Sequence, residues 1–76
     1  MKTFKYGNYV FNVCAETHIQ KSVNGKDGVA LYSYYILQNG VSAGIESAPL
    51  FKSSTEAEKQ GVALLKELAS EGRFDV

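Results

Sequence analysis

Cysteine and histidine are common nucleophiles, bases and metal ligands, and this sequence holds one of each, Cys14 and His18. A thiolate beside a histidine base could attack a carbonyl carbon, and a thiolate with an imidazole could form half of a zinc site. Both chemistries need the two side chains close together. Residues 9–19 alternate like a β-strand, in which positions four apart are separated by about 13 Å. The spacing therefore argues against a metal site and a cysteine nucleophile, and it predicts a buried or half-buried structural Cys14.

The remaining candidates for chemistry are weaker. Two carboxylate pairs fall on the polar face of a predicted helix, where such groups usually serve solvation and the helix dipole: Glu56 with Glu58, and Glu67 with Glu71. The single G-x-x-G, Gly25 to Gly28, joins two predicted strands, whereas the backbone-clamping loop of a KH domain joins two helices. We therefore expect no enzyme activity, no cofactor, no metal and no small-molecule substrate.

Length and charge limit the function further. A chain of 76 residues can build one small domain, which we place at residues 1–76. Its eight Lys and Arg balance its eight Asp and Glu, so no overall field draws it to nucleic acid or to anionic lipid. Neither a signal segment nor an apolar run of about 20 residues is present, and a single cysteine suits a reducing compartment, so we expect a cytoplasmic protein without membrane contact.

Three strands can be read from the sequence with some detail. Residues 9–19 place their better core candidates on one face: Tyr9, Phe11, Val13 and Ala15. Upstream, Gly7-Asn8 is either a tight turn after a short strand at residues 2–6 or a kink, and both readings stay open. Residues 20–28 contain Asn-Gly and Asp-Gly and predict a mobile loop.

The turn Asn39-Gly40 is the strongest hairpin signal in the chain. It joins a strand over residues 29–38 to a strand over residues 41–47. With a two-residue turn the register would pair residues as follows: Gln38 with Val41, Ile36 with Ala43, Tyr34 with Ile45, and Tyr32 with Ser47.

A helix follows Pro49, with Leu50 and Phe51 expected to anchor its entry. Its start is a capping box at Ser53 and Glu56 or, two residues later, at Thr55 and Glu58. An apolar stripe recurs at three- and four-residue steps: Ala57, Gly61, Leu64, Leu65 and Leu68. Gly61 suggests close approach to the sheet, and Gly72 reads as the C-terminal cap. The predicted fold is α+β in β-β-β-α order, a three-stranded antiparallel sheet, extended by the N-terminal strand if that strand forms, with one C-terminal helix packed on one face.

The segment FKSSTEAEKQGVALLKEL, residues 51–68, resembles the last strand-to-helix segment of double-stranded-RNA-binding domains. It is similar also to that of the arm domain of phage tyrosine integrases and of small YegP-like domains. The resemblance implies a shared architecture of antiparallel strands backed by one helix. The RNA-binding family has a basic first helical turn, whereas this sequence has Thr55, Glu56 and Glu58, so RNA binding is not carried over.

The sheet face opposite the helix is the predicted interaction face: Val10, Asn12, Leu31, Tyr35 and Leu37. Apolar residues on a bare sheet indicate a partner, and tyrosine is a favoured anchor. We expect a small interaction or regulatory module that binds another protein or itself as a homodimer, with loop contacts from Lys21 and Lys26. A chain of this size also suits the accessory inhibitors of bacteria and phages. The alternative is nucleic-acid binding, with Tyr35 stacking a base and the lysines of the N-terminal half, Lys2, Lys5, Lys21 and Lys26, neutralising phosphates.

Overall fold

The computed structural model describes residues 1–20 and 29–73, which form a four-stranded antiparallel sheet with one helix packed on one face. The elements are β1 (Lys2–Tyr6), β2 (Tyr9–Gln20), β3 (Val29–Gln38), β4 (Val41–Glu46) and α1 (Ser54–Ser70). The strands lie in the sheet in sequence order, β1-β2-β3-β4. The predicted α+β class, antiparallel sheet and C-terminal helix are confirmed. The sheet has a fourth strand because residues 2–6 form β1, which decides between the two readings of Gly7-Asn8.

Two tight turns follow the glycine signals in the sequence. Gly7 has φ 59°, and Tyr6 pairs with Tyr9, so Gly7 takes the first central position that a hairpin of the II′ kind reserves for glycine. Asn39 and Gly40 have φ 50° and 86°, and Gln38 pairs with Val41 as predicted. The second turn is also tied to β2, because the backbone N–H of Val10 donates to the Asn39 side chain at 2.8 Å.

The predicted register of β3 and β4 holds for Gln38 with Val41 and for the adjacent pair, Leu37 with Ser42, and it is wrong beyond them. Ile36 lies opposite Ile45 instead of Ala43, because the register shifts between Ile36 and Leu37. Gly44 lies in this irregular stretch with φ 74°, which a side chain would disfavour. The shift moves the pairing by two residues and so preserves the faces: Ala43 and Ile45 still pack toward the core.

The end of β3 differs from prediction for the same reason. Tyr34 faces Ser47 instead of Ile45, its carbonyl accepting from the Ser47 N–H at 2.9 Å. Tyr32 forms an isolated bridge with Phe51 instead of pairing with Ser47. Phe51 also lies 6.1 Å from the Tyr34 ring, so it anchors the approach to α1 as expected. The expectation for Leu50 is wrong, since that side chain is 74% exposed.

The core lies between the sheet and α1. Phe11, Val13, Ile36 and Leu65 are fully buried, and half-buried side chains surround them: Phe4, Tyr6, Tyr9, Ala43, Ile45 and Val62. The helix stripe is buried at Ala57, Gly61 and Leu65, as the periodicity predicts. A Cβ on Gly61 would lie 2.6 Å from Val13 Cγ1, so the glycine allows the helix backbone to rest directly on β2.

The geometry at the two ends of α1 shows which residues cap the helix. Ser53 is the N-cap, since its hydroxyl accepts from the Glu56 N–H at 3.1 Å. At the other end Glu71 is the C-cap and Gly72 follows it with φ 74°, the conformation of a glycine that closes a helix. Within the described ranges no helix combines the length and apolarity needed to cross a bilayer.

Candidate interaction surface

The sheet face turned away from α1, here called the open face, carries the side chains of every second strand residue. Register places Cys14 opposite Tyr35, Asn12 opposite Leu37 and His18 opposite Leu31. All five residues of the predicted interaction face lie on it, namely Val10, Asn12, Leu31, Tyr35 and Leu37. Among residues 1–20 and 29–73, the single helix packs on the reverse side, and no second layer covers the open face.

Cys14 and Tyr35 form the centre of the open face. Cys14 is only 9% exposed although no described element lies over it, and neighbouring side chains of the sheet shield it. The pKa of the Tyr35 hydroxyl is raised above its ordinary value of 10.0. The largest cause is a hydrogen bond with Cys14; smaller causes are the negative charge that Cys14 can carry, desolvation, and the charge of Glu16. The phenol therefore stays neutral at physiological pH, and the expected structural role of Cys14 fits its burial.

A second polar cluster lies farther along the same face. His18 Nε2 is 2.8 Å from the Ser33 hydroxyl, and Ser33 is 4% exposed. The same Nε2 lies 3.8 Å from the Glu16 carboxylate. A catalytic triad needs the carboxylate on the opposite ring nitrogen from the serine, so this arrangement does not relay a proton from Ser33. In the described part of the chain, no group of three His, Cys, Asp or Glu is placed as metal ligands would be.

The sequence pattern does not predict this cluster of Glu16, His18 and Ser33. Alternation places Glu16 and His18 on one face of β2, but Ser33 belongs to β3. The sequence at residues 21–28 carries two different turn signals, Asn-Gly and Asp-Gly, so the sequence alone does not determine the β2–β3 register. The sequence does carry one signal for it. Ser33 lies two residues before Tyr35, so alternation places both side chains on the same face of β3.

Val10, Tyr35 and Leu37 lie near one another on the open face, whereas Leu31 lies beyond the cluster of Glu16, His18 and Ser33. Val10 is 38% exposed, and Leu31, Tyr35 and Leu37 are half-buried. Asn12 lies among them, with its side-chain oxygen accepting from the Thr3 hydroxyl at 3.0 Å. The charged residues are exposed and of both signs: Lys5, Glu16 and Glu46. An apolar centre with a polar rim is the usual anatomy of a protein interface.

Of the four lysines expected to neutralise phosphates in the nucleic-acid alternative, the structure describes two, Lys2 and Lys5. Lys21 and Lys26 lie outside the described residues. Lys5 pairs with Val10 and shares the open face, whereas Lys2 pairs with Val13 and lies on the helix side. In the described strands, the open face thus carries one lysine and the two carboxylates Glu16 and Glu46.

Comparison with known proteins adds no relative: no family model, no curated protein and no solved structure matches this chain.

Proposed function

We propose that this protein is a small non-enzymatic interaction module that docks onto another protein through its open face. The observation that carries the proposal is the apolar group around Tyr35, which none of the described elements covers and which charges of both signs surround. Tyrosine gives up little side-chain entropy for the area that it buries, and it is among the residues that dominate binding energy in interfaces. Leu37, two residues along β3 on the same face, adds half-buried apolar area beside the ring, whereas Leu31 lies farther along β3, beyond Ser33.

The first partner to consider is a second copy of this chain. A domain of 76 residues buries a smaller share of its surface than a larger one, and self-association is a common way to bury more. The open face also has no strong excess of one charge, so two copies would not repel each other strongly across it.

Solution mass and partner capture test this proposal. The variant Tyr35→Ala with Leu37→Ser removes the centre of the open face and leaves the core residues in place. The matched control is Val41→Ser with Ile19→Ser, which removes two apolar side chains that are 67% and 72% exposed and that the register places on the helix side of the sheet. Circular dichroism of all three proteins checks that they fold.

We expect light scattering to give a dimer for the wild-type chain and the control, and a monomer for the Tyr35 variant. If the wild-type chain is a monomer, a protein captured by the wild type and the control should be lost from the Tyr35 variant. An unchanged dimer in the Tyr35 variant, or identical partners on all three proteins, would overturn the proposal.

Nucleic-acid binding by the same face predicts a different result. It requires an affinity for single-stranded oligonucleotides that falls steeply as salt concentration rises. The one lysine and two carboxylates on the described open face do not favour it, because phosphates would meet more negative than positive side chains. Tight, salt-dependent binding that is lost in Tyr35→Ala would replace the protein-docking proposal with this one.

A further inference from the structure

A groove separates β1 from α1 on the helix side of the sheet. The helix packs more closely on β2 and β3 than on β1, and a space of about 370 Å³ remains between β1 and α1. Phe4 and Val62 line it with apolar surface, and both also contact the buried core. A groove of this size, with walls fixed by core packing, falls within the range of ligand sites.

The charges around the β1–α1 groove are mostly positive. Lys2, Lys59 and Lys66 line it, and the Lys66 ammonium lies 5.7 Å from the centre of the Phe4 ring. The one carboxylate of the lining, Glu58, already pairs with the Met1 ammonium at 3.1 Å. A ligand in the groove therefore meets uncompensated positive charge around an apolar floor, which suits a partner that combines carboxylates with an apolar side chain.

The strand beside the groove has an open edge. β1 is the outer strand of the sheet, and no described residue pairs with the side of β1 that faces away from β2. Hydrogen-bonded and non-hydrogen-bonded pairs alternate along an antiparallel ladder, so every second residue of β1 directs its N–H and C=O groups outward. Such an edge can accept another strand, whose alternate side chains would then point into the groove between strand and helix.

We propose that the β1–α1 groove binds an extended acidic peptide segment of a partner protein, which adds to β1 as a fifth strand. In that position its groove-side residues follow the order acidic, apolar, acidic at every second position. The apolar side chain packs on Phe4 and Val62, and the carboxylates approach Lys59 and Lys66. This site is separate from the open face, and it stands or falls independently of the function proposed above.

A designed peptide tests the site directly. The probe is fluorescein-labelled Thr-Glu-Thr-Phe-Thr-Glu-Thr, which presents Glu, Phe and Glu on one side of a strand. One control peptide replaces both Glu by Lys. The other keeps the composition but places Phe on the opposite side from the acids, as Thr-Glu-Phe-Glu-Thr-Thr-Thr. Anisotropy titrations of the full chain should show binding of the probe and binding at least tenfold weaker for either control. No binding of the probe at concentrations up to about 1 mM, the weak end of specific association, would overturn the proposal.

Charge reversal locates the binding on the protein. Lys59→Glu with Lys66→Glu should weaken binding of the probe at least tenfold. The control Lys52→Glu with Arg73→Glu changes the net charge equally at exposed residues that do not line the groove, and it should change the affinity less than threefold. All four side chains are exposed, so the variants should fold, and circular dichroism confirms it. Equal weakening by both variants would mean attraction to the general charge of the chain, and it would contradict a built site.

Backbone methylation of the probe tests strand addition itself. A strand that joins β1 uses the N–H groups of one edge only, so methylating one set of alternate nitrogens should abolish binding and methylating the other set should not. Equal effects of both methylated peptides would contradict strand addition. Amide shifts in nitrogen-15 spectra should be largest in β1 and the adjoining turns of α1. Shifts confined to Cys14 and Tyr35 would place the peptide on the open face and contradict binding in the groove. Displacement of the probe by a thymidine oligonucleotide of equal charge at equal concentration would also contradict the proposal, because the site would then not be specific for a peptide.

Discussion

Gly61 marks a close approach of α1 to the sheet, because a methyl group there would lie 2.6 Å from Val13 Cγ1 and 3.0 Å from Tyr34 Cβ. In an isolated helix, Gly61→Ala would add about 1 kcal/mol of stability. Here the methyl must push two packed strands away, at a cost of about 1–3 kcal/mol. We expect Gly61→Ala to lower the free energy of unfolding measured in urea.

The neighbouring Gln60 provides the control for this prediction. It is exposed on the same helix, so Gln60→Ala changes helix propensity without entering the core. We expect its free energy of unfolding to stay within about 0.5 kcal/mol of the wild type. A Gly61→Ala protein as stable as Gln60→Ala would show that α1 can move away from β2 at little cost.

Tyr35 links the open face to pH. The hydrogen bond with Cys14 raises the folded pKa above 10.0, so between the unfolded and folded values the unfolded chain binds fewer protons at this residue. Its contribution to stability is complete below about pH 10 and is lost as pH rises through the folded pKa. We expect Tyr35→Phe to lose less stability than the wild type above pH 10, as measured by urea unfolding. Parallel stability curves for the two proteins would contradict this.

Helix α1 illustrates how capping selects one start among two. The sequence permits Ser53 or Thr55 as the N-cap, and the structure uses Ser53, whose hydroxyl accepts from the Glu56 N–H. We expect Ser53→Ala to cost about 1 kcal/mol, because the amide loses its partner. Thr55→Ala should be nearly neutral, since Thr55 is exposed inside the first turn. Urea unfolding of the two variants measures the difference, and equal losses would indicate that both caps are populated.

The parts of the sheet that the sequence predicts are determined by neighbouring residues, whereas the parts that it does not predict depend on residues far apart in the chain. Asn39-Gly40 fixes its own turn, because positive φ at two adjacent positions is a local requirement, and the sequence therefore predicts the first two pairs of β3 with β4. The shift beyond Leu37 depends on how β4 must curve to carry Ser47 and Phe51 to β3. That is a requirement of the whole sheet, and the isolated Gly44 is its only local trace.

The candidate site follows the same division. Alternation along each strand is local, so the five residues assigned to the open face all lie there. The contact between His18 and Ser33 needs the register across residues 21–28, and the groove beside β1 needs the position of α1 relative to the edge strand. Neither can be derived from the periodicity of one element.

The molecule as a whole is elongated, with principal extents of 52 × 20 × 17 Å. β2 and β3 form a long hairpin. Helix α1 covers the half that contains Phe11, which is fully buried, and does not cover the half that contains Ile19, which is 72% exposed. The bridge between Tyr32 and Phe51 is the last backbone contact that ties β3 to the segment before the helix, within the residues described. Stability should therefore decline along the hairpin away from the core.

Hydrogen exchange can measure that decline residue by residue. Hydrogen-bonded amides near Val13 and Ile36 should exchange only through global unfolding, because opening them exposes the core. Hydrogen-bonded amides of β2 beyond Thr17 should exchange by local fraying, with protection lower by at least about tenfold and little dependence on low concentrations of urea. The control is Phe51→Ala, which removes a half-buried ring beside Tyr34. It should extend fraying inward toward Tyr32, and equal protection at Ile19 and Val13 in the wild type would show that the hairpin opens as one unit with the core.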